Sequence, residues 1–247
     1  MTFFETILVA ISTYSAIPVP QFQWSEKNMR YAICCFPVVG VFCGAALLLW
    51  QWLCEYFAVD SVLFAAAAAC LPLLITGGIH MDGFMDTVDA LASHQSRERK
   101  LEIMKDSGCG AFAALYCGIY LLLSFGLFHA VRERAMLLAP GYVCSRVLSA
   151  LCAVTMPNAR KAGMLCAFTE NVQKKRAVVI LAVLLVLSGG LLLWLSPLSL
   201  VCGLLAALGY RRMARKQFGG VTGDTSGFFL QVCELAMLAG LWLGGFL

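Results

Sequence analysis

Six stretches of roughly twenty residues, almost free of charge, set what this chain can fold into. They span residues 31–53, 61–78, 110–130, 135–156, 177–195 and 227–247. Each is long enough to cross roughly 30 Å of hydrocarbon as an α-helix, which satisfies its own backbone hydrogen bonds there. A seventh, 198–210, is shorter and pairs with the preceding span through the turn at Ser196-Pro197. The expectation is an all-α, polytopic transmembrane bundle of about seven spans. Residues 1–17 are apolar but carry neither a basic leader region nor a small-residue cleavage site. They read as an interfacial or re-entrant helix ended by Pro18 and Pro20 rather than as a removed signal peptide.

Water is not the main solvent of such a chain: it is 61% hydrophobic and 13% charged, whereas about a quarter of the residues in soluble domains are charged. No internal repeat or separate soluble segment interrupts the pattern, so residues 1–247 are expected to form one membrane domain. Lys and Arg are retained on the cytoplasmic side of short loops. Lys27, Arg30, Arg97, Arg99, Lys100, Lys105, Arg160, Lys161, Lys174, Lys175, Arg176, Arg211, Arg212, Arg215 and Lys216 all fall on one side of the predicted spans. Arg132 and Arg134 fall on the other, with Arg146 inside a span. This asymmetry places segments 76–108 and 211–226 in the cytoplasm. The net charge of +4 is then a topology signal, with the bilayer as partner and no nucleic acid implied. Twelve cysteines occur without a Cys-x-x-Cys pair, so neither zinc nor a disulfide framework is indicated.

Chemistry concentrates between the second and third spans, in Thr76-Gly-Gly-Ile-His-Met-Asp-Gly-Phe-Met-Asp-Thr-Val-Asp-Ala-Leu. Asp82, Asp86 and Asp89 are spaced four and then three residues apart. At about 100° per residue they share roughly 60° of one helical face. Three like charges repel unless a cation joins them, and oxygen ligands alone favour a hard divalent ion, Mg²⁺ above all. Such a centre commonly clamps a diphosphate during phosphoryl or nucleotidyl transfer. A solvated acidic face is the alternative, but apolar flanks and an adjoining span make carboxylates expensive here unless they serve a function. Gly77, Gly78 and Gly83 permit turns and close approach. His80, about 160° from the acidic face, reads as a supporting or ribose contact, or as a plain interfacial histidine.

Further polar islands flank this motif. Arg97-Glu-Arg-Lys-Leu-Glu-Ile-Met-Lys-Asp-Ser is either a salt-bridged cytoplasmic helix or a phosphate-binding segment. In the second reading Arg97, Arg99 and Lys105 contact nucleotide phosphates, with Glu102 beside them and Asp106 extending the carboxylate set. Before the last span, Arg211, Arg212, Arg215 and Lys216 lead into Gly219-Gly-Val-Thr-Gly-Asp-Thr. That composition suits an anion nest around Gly220, Thr222 and Gly223, although it lacks the lysine of a Walker loop. Arg146 sits mid-span, where a guanidinium requires a carboxylate or phosphate partner or must snorkel.

Together these blocks resemble the adenosylcobinamide-GDP ribazoletransferases, the cobalamin 5'-phosphate synthase family. The resemblance rests on Ile17-Pro-Val-Pro, Phe36-Pro-Val-Val-Gly, His80-Met-Asp-Gly-Phe-Met-Asp-Thr-Val-Asp, Leu101-Glu-Ile-Met-Lys-Asp-Ser, Ser145-Arg146 and Gly219-Gly-Val-Thr-Gly-Asp-Thr, in the family's order over nearly the whole chain. It implies that α-ribazole or its 5'-phosphate displaces GMP from adenosylcobinamide-GDP with Mg²⁺ present, during assembly of the nucleotide loop of cobalamin. It also implies that Asp82, Asp86 and Asp89 hold the metal, with Asp224 completing the site and one carboxylate serving as base. Ala90, Ala16 and Gly108 depart from a glycine and two arginines common in the family, so phosphate contacts differ in detail. A homo-oligomer is left open.

Two other classes compete. CDP-alcohol phosphotransferases use a similar acidic logic, but their Ala-Arg after Asp-Gly-x-x is absent here. A cation transporter would place its site near the midplane within inverted repeats, yet both polar islands lie on one side, and Glu234 is the clearest mid-membrane acid.

Overall fold

The computed structural model describes residues 3–20, 29, 31–106, 108–170 and 172–246; Lys27, Arg30 and Ser107 lie outside them. In chain order the helices are α1 (Phe3–Tyr14), α2 (Ala32–Cys35), α3 (Pro37–Tyr56), α4 (Ser61–Thr76), α5 (Ile79–Ala92), α6 (Arg97–Ile103) and α7 (Ala111–Ala130). A 3₁₀ segment, Arg132–Leu138, leads into α8 (Ala139–Thr155), followed by α9 (Met164–Glu170), α10 (Lys174–Leu195), α11 (Pro197–Phe218) and α12 (Gly223–Leu243). Among the described residues the sole extended pairing is one parallel bridge between Asn158 and Val221.

Local sequence sets the helix ends. Pro37 and Pro197 occupy first-turn positions, where their missing N–H costs nothing. Asp60 caps α4 by accepting from the backbone N–H groups of Val62 and Leu63 at 2.9 and 3.0 Å. The Leu63 N–H is the first cause holding its carboxyl below the ordinary range. Thr222 and Thr225 cap α12 reciprocally, each hydroxyl accepting from the other residue's backbone N–H. Between α4 and α5, Gly77 and Gly78 take φ of 62° and 77°, a left-handed pair that only glycine adopts without cost. The chain bends there by 95°.

Five helical stretches are long and apolar enough to cross a membrane, and α4 with α5 forms a sixth candidate as one bent span. The chain is thus a multi-pass membrane protein built as a helical bundle. The expected short span at 198–210 is part of the 22-residue α11, which continues through Arg211, Arg212, Arg215 and Lys216 and so carries too much charge to count by composition. The 12-residue α1 is too short to cross, in keeping with an interfacial or re-entrant segment. Its trailing Ala16 N–H donates to the Ile75 carbonyl at 2.8 Å, beside the bend.

The span containing α8 is 78% buried against 22% for α7 and for α10, so α8 is the central helix and the other two are peripheral. It packs on α3 and α10, while α12 packs on α11 and α5. Loop contacts sort the chain's ends into two groups. Arg132 donates to the Val59 carbonyl and Gln51 to the Arg132 carbonyl at one end. At the other, Arg97 donates to the Lys216 carbonyl and Arg160 reaches both Leu101 and Asp224. Of the basic residues grouped by sequence, Arg97 and Lys216 therefore meet in space, and Arg160 joins them through α6.

Candidate active site

The acidic face lies on α5, which begins immediately after the left-handed glycine pair. Asp82 is exposed, and Asp86 and Asp89 are half-buried. What brings this face to Asp224 is a crossing of α5 and α12 with no side chain between the backbones. A Cβ on Gly83 would stand 2.7 Å from the Asp224 carbonyl oxygen, and one on Gly227 would stand 2.8 Å from that of His80. Real Cβ atoms do not approach so closely, so both glycines are required for the contact. Gly83 is thereby explained as a packing residue within the acidic motif, the close approach being to the backbone of α12.

The four carboxylates divide in two. Asp86 lies within Coulombic reach of Asp82, Asp224 and Asp89, and of the Arg160 guanidinium. Asp224 accepts from Arg160 Nη1 at 2.9 Å, and both side chains are about a quarter exposed. Asp89 turns elsewhere: its two oxygens accept from the Gly110 and Ala113 N–H groups at 2.7 and 2.9 Å. It thereby caps the first turn of α7, where a negative charge also complements the helix dipole. As the side chains stand, no three acidic, His or Cys groups among the described residues converge on one metal position.

Arg160 emerges from the structure and not from the sequence reading, which used it only for topology. It links α12 to α6 through Asp224 and the Leu101 carbonyl, at 2.9 and 3.1 Å. Its loop is zipped to the start of α12 by hydrogen bonds between Val221 and the backbones of Pro157 and Ala159. A lone polar loop at a span end was the available signal.

Other expected site residues are placed as follows. His80 is buried beside the cluster, with the Phe36 ring edge-on at 5.5 Å. Gly223 is exposed at the start of α12, whereas the Thr222 hydroxyl is committed to the cap, and Gly220 is buried against the Pro157 carbonyl. Arg97 spends its Nε on the Lys216 carbonyl at 3.1 Å, and its neighbour Lys100 donates to Gln217 at 2.5 Å. These two contacts fasten α6 to the end of α11. Arg99 and Glu102 pair on the open surface at 2.8 Å, a contact worth little in water. Lys105 and Asp106 are exposed, the latter accepting from the Gly108 N–H. Arg215 and Lys216 line a shallow surface depression with Arg211 and Arg212.

Arg146 is not brought to the cluster. It is buried in the bundle, ion-paired with Glu234 of α12 and hydrogen-bonded to the Tyr142 carbonyl and Ser145. The partner demanded by its position is thus a core carboxylate, Glu234, rather than a residue of the acidic cluster.

Two adjoining clefts meet at Asp224. One, about 180 Å³, is entered past Asp82 and Gly223. The other, about 120 Å³, runs beneath Arg160. A larger groove of about 920 Å³ between α5, α7 and α12 is apolar and holds no carboxylate, so it lacks the means for this chemistry.

Comparison with known proteins points the same way. A family model described as cobalamin-5-phosphate synthase matches residues 6–242. An adenosylcobinamide-GDP ribazoletransferase of Lachnoclostridium phytofermentans is 39% identical, covering 98% of this chain and 94% of that protein. Proteins of the same name from Clostridium botulinum and a Geobacillus species are 30% and 32% identical. They cover 95% and 96% of this chain, and 96% and 94% of their own lengths. No solved structure matches.

Proposed function

The chain belongs to the cobalamin-5-phosphate synthase family, and on that premise we propose that it is an adenosylcobinamide-GDP ribazoletransferase acting at the Asp82–Asp86–Asp224 cluster. The observation that carries this reading is the glycine-mediated crossing of α5 and α12, which joins two acidic segments far apart in sequence at one end of a membrane bundle.

The donor set fits a divalent cation. Asp82, Asp86 and Asp224 offer oxygen ligands only, and Arg160 offsets one of their charges, leaving an excess that a hard ion such as Mg²⁺ balances. Bound there, the ion supplies charge neutralisation at the donor's diphosphate. Asp89 is left outside this set because its oxygens already hold α7. The chain's residues do the rest. Arg160 lies where it can exchange Asp224 for a phosphate oxygen, as a guanidinium does readily. A site carboxylate takes the proton of the attacking ribose hydroxyl. A phosphorus–oxygen bond then forms to α-ribazole or its 5'-phosphate as the bond to the bridging oxygen breaks, with its electron pair leaving on GMP.

Purified protein given adenosylcobinamide-GDP, α-ribazole and Mg²⁺ is expected to release GMP, to stop with EDTA and to resume with Mg²⁺. Turnover of CDP-diacylglycerol in place of this donor would overturn the reading.

The cluster is proposed to face the cytoplasm of a bacterial inner membrane, because Arg97, Arg160, Arg215 and Lys216 gather at its end. In a background lacking reactive native cysteines, Gln95→Cys and Lys216→Cys should resist an impermeant thiol reagent in intact cells, while Glu133→Cys should react. Labelling of the first two from outside would reverse the orientation.

A further inference from the structure

α11 ends in four cations without a counter-charge. The ion pairs among the described residues are Arg99–Glu102, Arg146–Glu234 and Arg160–Asp224, none of which involves this helix. One face of α11 is buried through Ser199, Gly203, Ala207, Tyr210 and Ala214. The opposite face is exposed and changes character along its length. Val201, Leu205 and Leu208 are 46%, 60% and 64% exposed, and Arg212 and Arg215, also exposed, follow them. The intervals are four, three, four and three residues. At about 100° per residue the five side chains leave the helix within roughly 80° of one another. Lys216 adjoins this stripe, and Arg211 completes the lining of a surface depression of about 470 Å³. Arg211 is held there by donating from Nη1 to Thr155 Oγ1 at 2.9 Å.

We propose that the C-terminal end of α11 binds the phosphate headgroup of an anionic phospholipid whose acyl chain lies along Val201, Leu205 and Leu208. Depth and charge complementarity carry the assignment. Arg212 and Arg215 stand four and seven residues beyond Leu208, which is about 6 and 10 Å along the helix axis. The headgroup layer outside the hydrocarbon is roughly 5–7 Å thick on each side of a bilayer. A lipid whose tail lies against Leu208 therefore carries its phosphodiester to Arg212. A guanidinium takes two phosphate oxygens at once, and clustered cations just outside a span attract anionic lipid.

Topology alone does not account for the arrangement. The positive-inside rule asks only that Lys and Arg lie on one side of the membrane. It does not ask them to continue a lipid-facing stripe, or to stand free of acids. Arg97, Lys100 and Arg160 spend side-chain donors on the Lys216 carbonyl, Gln217 and Asp224, whereas the side chains of Arg212, Arg215 and Lys216 have no such partner among the described residues. Nor do these cations serve the acidic cluster, since none of the four lines either cleft at Asp224. The site is independent of the transfer reaction.

Native mass spectrometry of the detergent-purified protein, offered equimolar phosphatidylglycerol and phosphatidylcholine, tests the site. Wild type is expected to retain phosphatidylglycerol about tenfold over phosphatidylcholine, and by less as ionic strength rises. Combining Arg212→Gln, Arg215→Gln and Lys216→Gln should remove most of that preference at an unchanged melting temperature, because these side chains pair with nothing in the fold. Combining Arg212→Lys with Arg215→Lys keeps the charge and should hold the preference within about threefold. Combining Lys174→Gln, Lys175→Gln and Arg176→Gln removes equal charge from the exposed start of α10 and should leave the preference intact. Equal losses in the two triple variants, or full retention in the first, would overturn the site. sn-Glycerol 3-phosphate offers the phosphate without the chains. Its displacing the lipid at matched concentration would make the patch a free-phosphate site and sink the lipid assignment. Displacement by adenosylcobinamide-GDP would do the same, giving the cations to a nucleotide diphosphate.

Discussion

Asp82→Asn and Asp86→Asn are each expected to lower GMP release by about a hundredfold or more while leaving the yield of folded, membrane-inserted protein unchanged. An amide matches the carboxylate in shape and keeps one acceptor oxygen, so packing at the crossing of α5 and α12 is preserved. What it loses is the charge that balances a divalent ion. Without metal the same loss relieves repulsion, since Asp86 faces Asp82, Asp224 and Asp89 with Arg160 as the opposing charge. Melting temperature in EDTA should therefore hold or rise in these variants even as turnover collapses. Mg²⁺ should raise the melting temperature of wild type and do so less in either variant, because stabilisation by a ligand follows its affinity for the folded state. Near-normal GMP release from both variants would remove the metal from this cluster.

The parts of this site that were legible in the sequence are those set by local spacing. The i, i+4, i+7 rule places Asp82, Asp86 and Asp89 on one face, and it holds because α5 is regular throughout. It carries no information about what else that face meets. Asp89 is taken by the start of α7, whose Gly110 and Ala113 N–H groups come from a loop about twenty residues on. Arg160 was hidden for a related reason: a basic residue after a span has a sufficient explanation in topology, and its ion pair with Asp224 crosses 64 positions. The glycines divide along the same line. Gly77 and Gly78 were readable as a turn, whereas the function of Gly83 depends on Gly227 of a different helix. Five of the expected spans recur to within about four residues, because a bilayer demands length and apolarity of each one independently. The exceptions are 61–78, which reaches the length of a span only together with α5 across a 95° bend, and α11, where charge rather than apolar length marks the end.

Removing either partner of the Arg146–Glu234 pair should damage the fold before it touches the chemistry. Position alone shows that Arg146 needs a partner and that Glu234 is out of place in a span, and the structure joins them across 88 residues. Both are buried, Arg146 almost completely. The guanidinium is further held by the Tyr142 carbonyl and Ser145, the latter also donating to Glu234. Glu234→Gln leaves that guanidinium charged and uncompensated among α3, α8 and α12, a loss of about 3–5 kcal/mol for buried pairs. Arg146→Met strands the carboxylate in the same way, with the milder outcome that Glu234 can take up a proton. Arg146→Lys keeps the charge but not the planar fork that reaches Glu234, Ser145 and Tyr142 together, and should fall between. The double variant Arg146→Met, Glu234→Leu removes both charges and is expected to recover most of the stability, as apolar replacements of buried pairs do. Melting in detergent and the monodisperse yield of each protein measure this directly. If Arg146 instead served a substrate phosphate, Glu234→Gln would melt like wild type and the double variant would fold normally yet fail to turn over. If the pair is structural, GMP release per folded molecule in the double variant stays within about threefold of wild type, because Asp224 lies about three turns away along α12 and α12 keeps its seat against α5 through Gly83 and Gly227.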